Sequence, residues 1–132
     1  MNTAKVDGCC NEVAFSLTRG LNWLWNVTVT DAKKKIQPLV AYTAKMEIRT
    51  IPVYPQTQGA LLYRLSSTPT VNQGSITITQ YIGKLALHIP MADSLLFPEG
   101  CYIYDLVITS PALENYQIIK GNFTVTSTVT TI

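Results

Sequence analysis

At 132 residues the chain is long enough for one domain with its own core, and it needs neither disulfide nor metal to hold it. Hydrophobic residues make up 47% and charged residues 14%, against about 25% charged in ordinary globular chains, so Thr, Ser, Asn and Gln must carry the polar faces. The net charge of +2 is concentrated in Lys33, Lys34 and Lys35. That run reads as a solvated hairpin tip and lacks the broad basic field of a nucleic-acid binder.

In chain order, the polar stretch 1–11 predicts a flexible N-terminal arm, and 12–132 predicts a single β-sandwich domain. The apolar pattern then has a period of two almost throughout. Trp23, Trp25, Val27 and Val29 alternate with polar partners, as do Tyr42, Ala44, Met46 and Ile48. Leu61, Tyr63 and Leu65 repeat the pattern, followed by Leu85, Leu87 and Ile89, and then by Tyr102, Tyr104, Leu106 and Ile108. Breaks at Gly, Pro and Asn separate strands expected at 13–18, 22–30, 41–50, 60–66, 75–80, 84–89, 101–109 and 116–127. The one helical candidate, Met91–Phe97, is limited to a turn or two by Pro90 and Pro98.

That turn leads into Gly100-Cys101-Tyr102, which reads as a tyrosine corner with Gly100 and Tyr102 as its residues. Together with the strand count it predicts an all-β fold, an immunoglobulin-like Greek-key sandwich of 7–8 antiparallel strands. The uncharged ending from Thr124 to Ile132 would be an aggregation hazard as a free tail. It is therefore expected to pair, in its own sheet or with a neighbouring subunit, through Thr126, Thr128 and Thr130. Tyr54 and Tyr81 are the other expected interface residues, since Tyr is favoured at interfaces.

Chemistry-bearing patterns are sparse. His88, the sole histidine, lies on a strand face opposite the leucines, with no nucleophile elbow to serve. Cys9, Cys10 and Cys101 have neither zinc spacing nor the pairing of a disulfide framework. Asp93, Glu99 and Asp105 read as cap, turn and polar-face residues. The expectation is a non-enzymatic protein with no cofactor, no metal and no small-molecule substrate. Neither nucleic acid nor membrane is an expected partner, for no apolar run approaches the about 18 residues of a membrane span.

Four segments in series carry a resemblance. They are Ala41-Tyr42-Thr43-Ala44-Lys45-Met46-Glu47-Ile48-Arg49, Gly83-Lys84-Leu85-Ala86-Leu87-His88-Ile89-Pro90, Gly100-Cys101-Tyr102-Ile103-Tyr104-Asp105-Leu106 and Gly121-Asn122-Phe123-Thr124-Val125. The chain resembles small tailed-bacteriophage virion proteins and the N-terminal sandwich modules of baseplate or fibre-attachment proteins. It departs from that pattern at Val40 and Ala41, where a Gly is expected before Tyr42, and around Pro52–Pro55, where one loop is longer. The resemblance implies a virion structural protein, an adaptor or attachment subunit of the tail, baseplate, neck or fibre region. Its implied partners are other virion proteins and further copies of itself. A capsid decoration (cement) protein and a receptor- or carbohydrate-binding module are the alternatives.

Overall fold

The alternation of apolar and polar residues dictates strands with one buried face, and that is how the chain folds. A computed structural model describes residues 2–5, 11–31, 33–53, 55 and 58–128. Among these, ten strands occur: β1 (Asn2–Lys5), β2 (Asn11–Glu12), β3 (Phe15–Thr18), β4 (Trp23–Thr30) and β5 (Thr43–Thr50), then β6 (Leu61–Ser66), β7 (Gly74–Thr79), β8 (Lys84–Ile89), β9 (Gly100–Thr109) and β10 (Asn115–Thr126). The eight from β3 to β10 begin and end within two residues of the bounds expected from sequence. A single helical turn, α1 (Met91–Ser94), follows Pro90. In the stretch expected to be an arm, the described parts are the short strands β1, parallel to β4, and β2, parallel to β10.

All ten strands belong to one hydrogen-bonded sheet in the order β1-β4-β8-β7-β6-β5-β9-β10, with β2 and β3 both on the far flank of β10. The sheet curls into a nearly closed barrel. Long antiparallel ladders knit β4 to β8 to β7, and β6 to β5 to β9 to β10. The join between these halves is slight, a parallel contact of Leu65 with Gly74 and Ser66 with Ser75. The expectation of an immunoglobulin-like sandwich of antiparallel strands thus takes a coarser form. The protein is all-β and mainly antiparallel, but its strands form one continuous sheet with parallel pairings at β6–β7 and β3–β10.

Inward-facing residues fill the barrel. Met46, Ile48, Leu65, Leu85, Leu87, Ile89, Leu106, Ile108 and Phe123 are fully buried, and at about 1.5–3 kcal/mol for each large side chain they dominate the stabilisation. A β-bulge at Ile118 turns both Ile118 and Ile119 inward, which a regular strand could not do.

The seam between β3 and β4 is closed by side chains. Phe15 stacks on Tyr104 at 4.7 Å between ring centres and meets Trp25 at 4.9 Å and Trp23 at 5.1 Å. The Trp23 indole N–H donates to the Ser16 carbonyl at 3.1 Å, tying the two strands across the gap. Aromatic contacts of this kind add about 0.5–1.5 kcal/mol each beyond the area they bury. Phe15→Ala should therefore lower unfolding stability by about 3–5 kcal/mol, read by urea titration.

Candidate functional site

The chain's unusual surfaces start from one crossing. Residues 11–18 run along β10 as two short strands, broken at Val13 and Ala14. At the break the Val13 N–H donates to the Lys120 carbonyl at 2.9 Å. The Val13 carbonyl accepts from the Tyr104 hydroxyl at 2.5 Å. Gly121, paired with Tyr104 in the ladder, makes this possible. A Cβ there would lie 2.3 Å from the Val13 oxygen, and its φ of +158° is one that L-residues rarely adopt. Burial pushes the Tyr104 hydroxyl well above the usual phenol range, so it stays a neutral donor.

The crossing strand walls one side of a groove of about 610 Å³ on the outer face of β5, β9 and β10. Pro52, Gln58 and Gly59 form the opposite wall, and the floor carries Glu47, Arg49 and Asp105. These charges are committed to one another. Glu47 accepts from Arg49 at 2.9 Å and from Arg64 at 2.5 and 2.8 Å. Asp105 accepts from Gln117 at 2.9 Å, and Arg49 also donates to the Gly59 carbonyl at 3.1 Å. Burial alone would raise the Glu47 pKa, but the hydrogen bonds and charges of Arg49 and Arg64 outweigh it and hold the carboxyl below its ordinary 4.5. The groove is thus polar, with Glu47, Arg49 and Asp105 on its floor each hydrogen-bonded within the molecule.

Tyr102 is buried, and its hydroxyl donates to the Pro98 carbonyl at 2.8 Å, bonding back across the turn that precedes β9. Gly100 opens that strand at φ +151°. Beside them α1 is clamped to the β3–β4 turn: the Gly20 N–H donates to the buried Ser94 hydroxyl at 2.9 Å, and the Met91 N–H donates to Asn22 Oδ1 at 2.9 Å. Tyr63, also buried, donates to Asp93, so that carboxylate anchors the same turn.

Tyr81 is 78% exposed on the 3₁₀ turn between β7 and β8, next to Ile82, with Ile36 and Val40 exposed on the neighbouring loop. That loop is fastened to the turn by the Leu39 N–H donating to the Gln80 carbonyl at 2.8 Å. A second exposed apolar group, Leu21, Met91, Leu95 and Leu96, surrounds α1. Thr126 is paired with Thr18 of β3 and exposed, and Thr128 is half-buried. Tyr54 and Thr130 lie outside the described residues, as do Cys9 and Cys10.

The candidates for chemistry are dispersed. His88 is half-buried on the outer face between Leu24 and Ser75. Asp93 and Asp105 are engaged separately, and Glu99 is exposed. Cys101 is an exposed free thiol. Among the described residues no three His, Cys, Asp or Glu side chains gather as metal ligands would, and no helix is long and apolar enough to cross a membrane. Sequence reasoning passed over Tyr104, Gly121 and the Glu47 hub. A glycine inside a strand was the available signal for the first two, and same-face spacing of Glu47 and Arg49 for the third.

No family model and no curated protein sequence matches the chain. Among solved structures, the N-terminal domain of phage TP901-1 ORF48 is similar in fold, with a TM-score of 0.50 over 94% of this chain and 94% of that one. The two are 8% identical.

Two outcomes follow from the site's geometry. Gly121→Ala should cost about 2 kcal/mol or more, measured by thermal unfolding, because both the Val13 contact and the backbone conformation resist a side chain. Since the folded Glu47 pKa lies below the unfolded one, its contribution is complete above pH 4.5 and is lost as acid takes the pH through the folded value. Glu47→Gln should therefore narrow the stability difference between pH 7 and pH 3, by about 1 kcal/mol or less for a cluster still partly open to solvent.

Proposed function

We propose that the chain is a non-enzymatic structural subunit of a bacteriophage virion, an adaptor or attachment module of the tail, baseplate, neck or fibre region. The observation that carries this reading is the fold likeness to a phage protein's N-terminal domain, which extends over nearly the whole of both chains. The surface supports it. Only 14% of the residues are charged, and Glu47, Arg49 and Arg64 on β5 and β6 are engaged with one another. Exposed apolar groups stand at both Tyr81 and α1, where a free monomer would ordinarily place Lys and Glu. Such a surface suits a subunit covered by neighbours.

The finer fold reading belongs to the same proposal. The slight β6–β7 contact, the halves it joins, the parallel seating of β3 on β10 and the Tyr102–Pro98 bond together support an immunoglobulin-like sandwich flattened out of the barrel. In that reading the barrel is a scaffold. Its work is done by the apolar ends and edges, and the buried tyrosines hold loops in place and carry no chemistry.

Purified particles of the encoding phage, digested and analysed by mass spectrometry, should contain this chain in stoichiometric amount with the other virion proteins. Particles that are complete and infectious without it would overturn the proposal. Antibody labelling of the same particles separates a tail position from the capsid surface of a cement protein.

A further inference from the structure

One end of the barrel joins fixed positive charge to exposed apolar side chains. Beyond β4 the chain makes a tight turn and returns as Ile36, which bridges back to Thr30. Asp31 holds that turn. Its N–H donates to the Lys35 carbonyl at 2.8 Å, and its Oδ1 accepts from the Lys33 and Lys35 N–H groups at 2.8 and 3.0 Å. Lys33, Lys34 and Lys35 are exposed, and among the described residues their ammonium groups have no ion-pair partner. Three lysines against one aspartate leave the turn at +2, the entire net charge of the chain.

The returning loop lies against the turn between β7 and β8. The Gln37 N–H donates to the Val29 carbonyl at 2.9 Å, and the Leu39 N–H donates to the Gln80 carbonyl at 2.8 Å. Gly83 permits this approach. Its φ is +62°, and a Cβ there would stand 2.5 Å from the Gln37 carbonyl oxygen and 3.2 Å from Ile36 Cγ2. Ile36 and Val40 are thereby fixed beside Tyr81 and Ile82, and all four are about half exposed or more. An apolar group rimmed by charge is the surface pattern of an interaction site.

We propose that this end docks on an acidic segment of a different virion protein. That segment sets carboxylates against Lys33, Lys34 and Lys35, and an apolar side chain against Tyr81 and Ile82. The inference rests on the reading of the chain as a virion subunit and adds the chemistry of its neighbour. Charge complementarity selects the occupant. A second copy of the chain does not supply it, because the eight acidic residues are scattered and no two lie within four positions of each other. The two parts of the surface reinforce one another. Covering Tyr81 and Ile82 excludes water and strengthens the ion pairs beside them, while the lysines orient the encounter and select the partner.

The test uses purified particles of the encoding phage. Carbodiimide, which joins an amine to a carboxylate in contact with it, should link Lys33, Lys34 or Lys35 to Asp or Glu of another virion protein, read by mass spectrometry. Particles from phage carrying Lys33→Gln, Lys34→Gln and Lys35→Gln together, washed at about 0.15 M salt, should retain about tenfold less of the chain than wild type. Tyr81→Ser should lower retention as well, whereas Lys45→Gln, an exposed site on β5, should leave it unchanged. The purified triple variant should unfold at the wild-type temperature, which separates lost docking from lost folding. Particles that hold the chain but show no such links, or that retain the triple variant at the wild-type level, overturn the proposal and leave the virion reading standing. Links only between copies of this chain overturn it too. So does an isolated chain that sediments with phosphatidylglycerol vesicles while its lysines stay unlinked in particles. Particles without the chain overturn both.

Discussion

The bond from the Tyr104 hydroxyl to the Val13 carbonyl holds the segment that crosses β10, residues 11–18, in place. Val13 reaches that hydroxyl only because Gly121 has no side chain, and the same backbone is held from the other side by Lys120. Once Val13 is fixed, β3 lies parallel on the end of β10 and Phe15 enters the core against Tyr104, Trp23 and Trp25. The seam between β3 and β4, where no ladder runs, is then filled by rings. A hydrogen bond worth about 1 kcal/mol on its own thereby sets the position of a side chain worth several.

A similar economy governs the rest of the inward face of β9. Its inward stripe, from Tyr102 to Ile108, lies between β5 and β10 and belongs to the buried core. Its two tyrosine hydroxyls point to backbone carbonyls, one in the turn before the strand and one in the crossing N-terminal segment. Buried hydroxyls need such partners, and here each partner is a loop that would otherwise be loosely held. Arg49 of β5 and Arg64 of β6 meet at Glu47. The Tyr81 turn and the α1 end expose apolar side chains.

The strands were legible because each buries one face, and a period of two survives any arrangement of the sheets around it. The short α1, bounded by Pro90 and Pro98, and the back-bond of Tyr102 were legible for local reasons as well. Strand order was less so. Whether β6 and β7 touch depends on two residue pairs, and the seat of β3 on β10 depends on Val13, Tyr104 and Gly121, which are distant in sequence. The short strands of the first twelve residues carry no periodic signal, because Asn2–Lys5 and Asn11–Glu12 are too brief to show one. The ion-pair hub at Glu47 joins adjacent strands whose register is offset by a bulge after Ile48. Alternation places these residues on one face, and only the register shows that they meet.

Function follows from what the barrel leaves uncovered. In the proposed reading, neighbouring subunits would cover the exposed apolar ends. A reconstruction of the parent phage particle at side-chain resolution tests this most directly. The account predicts ordered copies of this barrel within the particle, with neighbouring chains covering the Tyr81 turn or the α1 end. A complete, well-resolved particle in which no density fits the barrel would contradict it.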